Sequence, residues 1–261
     1  MMETTVSTLA IVCMGIAAIC AIAIPVGLYL YFRKKMHADR LPFWIGCVVF
    51  PVFALGLEQV AYLFVMKLDC WLFVQSDIWL YGMVGGLFAG IFEETGRYVA
   101  FRTVLRKKRG NDANALMYGA GHGGIEAALL VGVTMISNIV YSLMLNSGAL
   151  DSTMSTTIST ALAGAAPGMF LVSIVERVGA VALHLSLSVL VWFAAKNKKS
   201  FCLFPIAILL HALVDAVAVI MSGYAVNVWL IEGAIYLMSA GCALLAVLVW
   251  KRQRKADAIP T

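Results

Sequence analysis

Seven stretches of 20 or more mostly apolar residues follow one another along the chain, separated only by short polar breaks. A helix needs about 20 such residues to cross the hydrocarbon layer of a bilayer. The sequence therefore predicts an all-α, polytopic membrane bundle of about seven transmembrane helices, over 9–32, 41–66, 78–101, 113–141, 167–195, 201–221 and 226–250. Composition agrees, with 62% hydrophobic and only 13% charged residues, against about 25% charged in soluble domains. That excludes a soluble globular protein, a disordered chain and a nucleic-acid binder. Five of the six cysteines lie in apolar runs, where thiols pack as small hydrophobes, and Cys70 has no evident partner for a disulfide.

Orientation follows from the excess of Lys and Arg in cytoplasmic loops. The leader before the first stretch has Glu3 and no basic residue, whereas Arg33, Lys34 and Lys35 follow it, so the first stretch reads as a retained helix rather than a cleaved signal. With the N-terminus outside, the inner segments hold Arg33 to Arg40, Arg102 to Arg109, Lys196 to Lys199 and Lys251 to Lys255, leaving Lys67 alone outside. An odd number of crossings then puts the C-terminus inside. The formal charge of +5 is in this reading topological, with an attraction to anionic headgroups of the surrounding membrane lipids. Outside, Ser142 to Ala166 is polar and rich in Ser and Thr; a loop and a short surface helix are both compatible with it. No linker divides the chain, so 1–261 reads as one membrane domain.

Ionisable side chains inside a bilayer are costly and normally face a bundle interior or a wet cavity. This chain places Glu58, Glu93, Glu94, Arg97, His122, Glu126, Glu176, Arg177, His184, His211, Asp215 and Glu232 within its apolar stretches. Counted from the inner ends of their stretches, Glu93, His122, His184 and His211 lie nine, nine, eleven and ten residues deep. At 1.5 Å per residue these four groups on four helices share a layer roughly 14 to 17 Å in. One polar cluster satisfies them all. Residues three or four apart share a helical face, which brings Arg97 to Glu93 and Glu94, His122 to Glu126, and His211 to Asp215. Gly119, Gly121, Gly123 and Gly124 let a neighbouring helix or an extended peptide approach beside His122.

A glutamate beside a neutral imidazole can deprotonate water and then protonate a leaving amine, and a second histidine can donate to a developing oxyanion. Alternatively, His122, His184 and His211 with a carboxylate suit Zn²⁺, three protein ligands leaving a position for the reactive water. Both routes end in hydrolysis, and no Ser or Cys in these motifs stands beside a base as a nucleophile.

The order Glu-Glu then Arg in FEETGRY, an aromatic-x-x-x-His in YGAGHGGIEA and His-x-x-x-Asp in HALVD resembles the CAAX-protease and bacteriocin-processing superfamily of intramembrane proteases. It resembles more closely the YhfC-type branch, described as intramembrane metalloproteases. The resemblance covers about 85–220, and implies a catalytic-type core at about 78–221. Carried over to this chain, it implies that Glu93 and His122 activate water, that His211 and Asp215 form an oxyanion pair, and that Arg97 supports the glutamates. Two residues rather than the superfamily's three separate the second Glu from Arg, so Glu93 and Glu94 both stand as candidates for the base. The last motif ends in Asp215, which donates a hydrogen bond only when protonated; ionised, its role becomes ligation of a metal or of His211. The implied substrate is a peptide or membrane protein, lipidated or membrane-associated, and the implied location a plasma membrane crossed several times.

Simpler readings exist for each group. The Glu-Glu-Arg cluster also suits a structural ion pair, except that one Arg cannot neutralise two carboxylates. His184 matches no superfamily motif and serves equally as support, ligand or core. Glu176 with Arg177 reads as a structural pair, and Glu58 and Glu232 as structure or substrate access. Chains of intramembrane Glu, His and Asp also build proton relays, which makes a proton-coupled transporter the main alternative; a non-catalytic membrane chaperone or immunity protein is another.

Overall fold

The computed structural model describes residues 5–257, and these form helices with no strand among them. In chain order the helices are α1 (Thr8–Lys35), α2 (Leu41–Phe50), α3 (Gln59–Val65), α4 (Trp71–Ser76), α5 (Ile78–Arg102), α6 (Ala113–Ala127), α7 (Thr134–Asn146), α8 (Ser152–Ile158), α9 (Met169–Lys196), α10 (Leu203–Gly223) and α11 (Val228–Asp257). Wide π-type turns over Pro51–Glu58 and Ala128–Val133 join α2 to α3 and α6 to α7 without a break. Pro51 starts the first of these turns, because a residue without an N–H cannot continue the i to i−4 ladder.

The apolar stretches and the helices coincide to within a few residues, except that the fourth runs five residues further, to Asn146, and the seventh seven residues further, to Asp257. Six rods are long and apolar enough to cross a membrane: α1, α2 to α3, α6 to α7, α9, Lys198–Gly223 and α11. The predicted stretch 78–101 is α5, whose 25 residues reach about 37 Å at 1.5 Å each. Its length suffices for a crossing, but Glu93, Glu94 and Arg97 make it more polar than the other six. Beyond α7, the Ser/Thr-rich segment forms α8 and a π-type turn over Ser159–Ala163, which favours the helical reading of that segment. Asn146 ties the end of α7 to the start of the chain by bonding both the N–H and the C=O of Val6, each at 2.8 Å.

The most hydrophobic helices are not the most central. α1 and Lys198–Gly223, with mean hydropathies of 2.7 and 2.4, are 39% and 28% buried over their apolar windows, whereas α9, at 2.0, is 78% buried, because lipid tails satisfy an apolar surface as well as another helix does. α6 is enclosed by α1, α2 and α9, and small residues make this possible. Gly121 meets the backbone of Phe43, Gly124 meets the ring of Pro25, and Gly119 and Gly123 meet α9 at Leu185 and His184. A Cβ at Gly121 or Gly124 has no room. Gly82, Gly86 and Gly90 give α5 the same close approach to α10.

At the basic helix ends, polar groups fix the connections. Asn114, fully buried, donates to the Asp39 carboxylate (2.9 Å) and accepts from the Asp39 N–H (2.7 Å), and Lys108 donates to the same carboxylate (3.0 Å). The bonds from Asn114 and then Lys108 hold the Asp39 carboxyl below its usual range. Asp112 accepts from Trp192 (2.9 Å) and Lys196 (3.0 Å). His37, in the loop after α1, is exposed and adopts a left-handed φ of 53°.

Candidate functional site

α5, α6, α9 and α10 bring the four residues of the predicted layer together. His122 Nε2 lies 2.9 Å from Glu93 Oε2. The ring centroids of His122 and His184 are 4.9 Å apart, and those of His184 and His211 5.3 Å. Glu93, Glu94, Arg97, His122, His184 and His211 are all buried, so their partners must come from one another.

The two adjacent glutamates have different environments. Glu94 is gripped by Arg97, whose Nη1 stands 2.5 Å from both carboxylate oxygens, and it also meets His211 Nδ1 at 2.8 Å. Glu93 has His122 instead. Arg97 Nη2 reaches His184 Nδ1 at 3.1 Å. A guanidinium can only donate, so Nδ1 of His184 accepts and its proton sits on Nε2, 2.5 Å from Glu126 Oε2. Arg177 then donates to Glu126 (2.6 Å) and Glu176 (2.5 Å).

Several pairings differ from the predicted ones. Glu126 turns to Arg177 and His184 rather than to His122 on its own helix. Arg97 serves Glu94 and His184 rather than both glutamates. The Glu176 and Arg177 pair, read as separate from the cluster, is joined to it through Glu126. His211 and Asp215 do share a face, but His211 Nε2 lies 3.5 Å from Asp215 Oδ2, an ion-pair distance too long for a hydrogen bond. The Asp215 side chain keeps 37% of its exposure while those of Glu94, Arg97 and His122 have none. The cluster is thus closed around α5 and α6 and open at Asp215.

The metal-ligand set also differs. Donor atoms of Glu93, His184 and His211, rather than of the three histidines, lie within 4.8 Å of one another. Two nitrogens and a carboxylate oxygen are ligands that Zn²⁺ accepts, with a fourth position left open. The surrounding charge suits a cation, since the five carboxyl groups of Glu58, Glu93, Glu94, Glu126 and Asp215 outnumber the two guanidinium groups of Arg97 and Arg177. These residues fit a divalent metal at a definite cost: both His184 nitrogens are engaged, so a metal must displace Arg97 or Glu126 from the ring.

Three further residues join the site. Phe50 packs edge-on against His122 at 5.4 Å, and Tyr118, fully buried, lies 5.8 Å from the same ring. His122 Nδ1 is buried and unpartnered among the described residues. Glu58, on the π-type turn, lies within electrostatic reach of Asp215 and His211. The signal for Glu58 was present as an acid in an apolar stretch. Depth counting passed it over, because at 17 residues from the start of its stretch it falls outside the layer of the other four.

No solved structure matches the chain. In Bacillus subtilis (strain 168), the uncharacterized membrane protein YhfC is 36% identical over 225 residues, covering 82% of this chain and 86% of that protein. The family model described as YhfC intramembrane metalloprotease matches residues 20–235, which contain every residue of the cluster. A multi-pass helical chain that carries this buried Glu, His and Arg constellation therefore belongs to the YhfC intramembrane metalloprotease family.

Proposed function

We propose that the protein is an intramembrane endopeptidase of the plasma membrane, which hydrolyses a peptide bond of a membrane-associated or lipidated substrate with an activated water. The observation that carries this reading is the Glu93 to His122 contact of 2.9 Å, a carboxylate and an imidazole held together where water is scarce. Glu93 takes the proton of the attacking water, and the pair returns it to the leaving amine. Glu94, locked by Arg97, holds the His211 ring by its Nδ1 and leaves Nε2 to donate to the substrate oxygen when the ring is protonated, or to bind a metal when it is neutral. Asp215, the exposed member, marks the side from which substrate and water enter. When bound by Glu93, His184 and His211, Zn²⁺ would supply Lewis-acid polarisation and a more acidic water. The charge pattern supports seven crossings with the N-terminus out, α5 among them, in a single domain.

The test compares new N-termini in the membrane proteome of cells expressing wild type or Glu93→Gln at equal levels. A cleavage product present in wild type and absent in the variant is the expected result; identical products would overturn the reading. One observation favours transport instead. Hydrogen-bonded or ion-paired groups run without a break from Glu176 through Arg177, Glu126, His184, Arg97 and Glu94 to His211, a chain that could pass protons. Proton-coupled uptake in liposomes, impaired by Glu126→Gln and accompanied by no cleavage product, would establish that alternative.

A further inference from the structure

On the side of α9 facing away from the polar cluster, two cavities of about 870 and 560 Å³ share Ala182 and Leu185, and so form one trough. Val178 and Val181 of α9 with Gly27 and Leu28 of α1 line one end. Val189 of α9 with Ala243 and Val247 of α11 line the other. The lining is apolar apart from Ser186, whose hydroxyl is already given to Ala182 O at 2.7 Å. From Val178 to Val189 the trough follows α9 for eleven residues, about 16 Å, which is half the roughly 30 Å hydrocarbon layer. Its length is that of one leaflet.

The mouth is different in kind. Beyond Trp250, an aromatic residue suited to the interface, the rim carries Lys251, Arg254 and Lys255. All three are exposed, and no carboxylate among the described side chains pairs with them. Met36 lines the same mouth, so the basic last turn of α1, with Arg33, Lys34 and Lys35, ends beside it. An apolar trough one leaflet deep beneath unpaired cations is complementary to one class of molecule.

We infer that this trough is a specific site for an anionic phospholipid, an acyl chain lying between α1, α9 and α11 and the phosphate headgroup held by Lys251, Arg254 and Lys255. Because Leu185 is the chain neighbour of His184 and packs on Gly119 beside the cluster, an acyl chain there buttresses α9 from behind. The site does not depend on the hydrolytic reading.

The experiment titrates the purified full-length chain with phosphatidylglycerol or phosphatidylcholine of identical chains and reads bound lipid by native mass spectrometry. One phosphatidylglycerol per chain is expected, bound roughly tenfold or more tightly than phosphatidylcholine. Arg254→Gln with Lys255→Gln weakens that binding roughly tenfold. Arg106→Gln with Lys107→Gln, an equal charge loss at an exposed basic turn outside the trough, leaves it unchanged. Ala243→Phe, which fills the trough, weakens both lipids, and glycerol phosphate without acyl chains does not compete. Melting of the lipid-free variants confirms that they are folded. Equal binding of the two lipids, equal loss in both charge variants, or retention by folded Ala243→Phe would overturn the assignment.

Discussion

Glu94 and Glu93 are consecutive residues of one helix, yet they live in opposite conditions. Glu94 receives a guanidinium and an imidazole, whereas Glu93 is hydrogen-bonded to one imidazole, whose other nitrogen is buried without a partner among the described residues. A buried carboxylate with all its partners is a structural element; one with unfilled hydrogen-bonding capacity around it is a reactive one. The contrast favours Glu93 as the base of the proposed reaction, and it separates the effects that substitutions should have.

The largest expected effect falls on Glu93. Replacing it by Gln should lower cleavage by about 10²-fold or more, the range of a lost general base, while the melting temperature of the purified protein changes little. If Glu93→Gln unfolded the protein and Glu94→Gln only slowed it, the contrast would be reversed. Next is Arg97→Met, which strands both Glu94 and His184 and should destabilise the fold by about 3–5 kcal/mol, read as a large drop in melting temperature in detergent. A metal held by Glu93, His184 and His211 should be present near one equivalent by elemental analysis. It should be lost in His184→Ala and His211→Ala and kept in His122→Ala. Loss only in His122→Ala would return the ligands to the three-histidine set.

Smaller effects test the scaffold. Gly124→Val forces a side chain against Pro25 and should cost about 1–3 kcal/mol. The smallest belongs to Asp39, in the turn before α2. Because its carboxyl is held below its ordinary value by Asn114 and Lys108, its contribution is present above that ordinary value and is lost as pH falls through the lower, folded one. Partial exposure keeps it under about 1 kcal/mol. Asp39→Asn should therefore reduce stability slightly at neutral pH and make no difference in strong acid.

The length and order of the helices were legible because a bilayer imposes a minimum apolar run, and the bounds of α1, α5 and α9 follow those runs closely. The common depth of Glu93, His122, His184 and His211 was legible for the same reason, since rise per residue is fixed. Rotation about the helix axes was not. Spacing places Glu126 on the face of His122, but it does not say that Arg177 will arrive from α9 with a charged donor and take that carboxylate. Nor does it reveal that Glu58 comes within electrostatic reach of Asp215, because a π-type turn after Pro51 alters which way the following residues face. The trough behind α9 was invisible for a further reason: to a sequence, an apolar surface that lines a cavity and one that meets bulk lipid look alike.

The most direct test purifies wild type, Glu93→Gln and Glu94→Gln into nanodiscs and follows cleavage of a substrate peptide together with thermal melting. The account predicts that Glu93→Gln melts as wild type does and does not cleave, whereas Glu94→Gln melts markedly lower. Wild-type cleavage by a folded Glu93→Gln protein would contradict it.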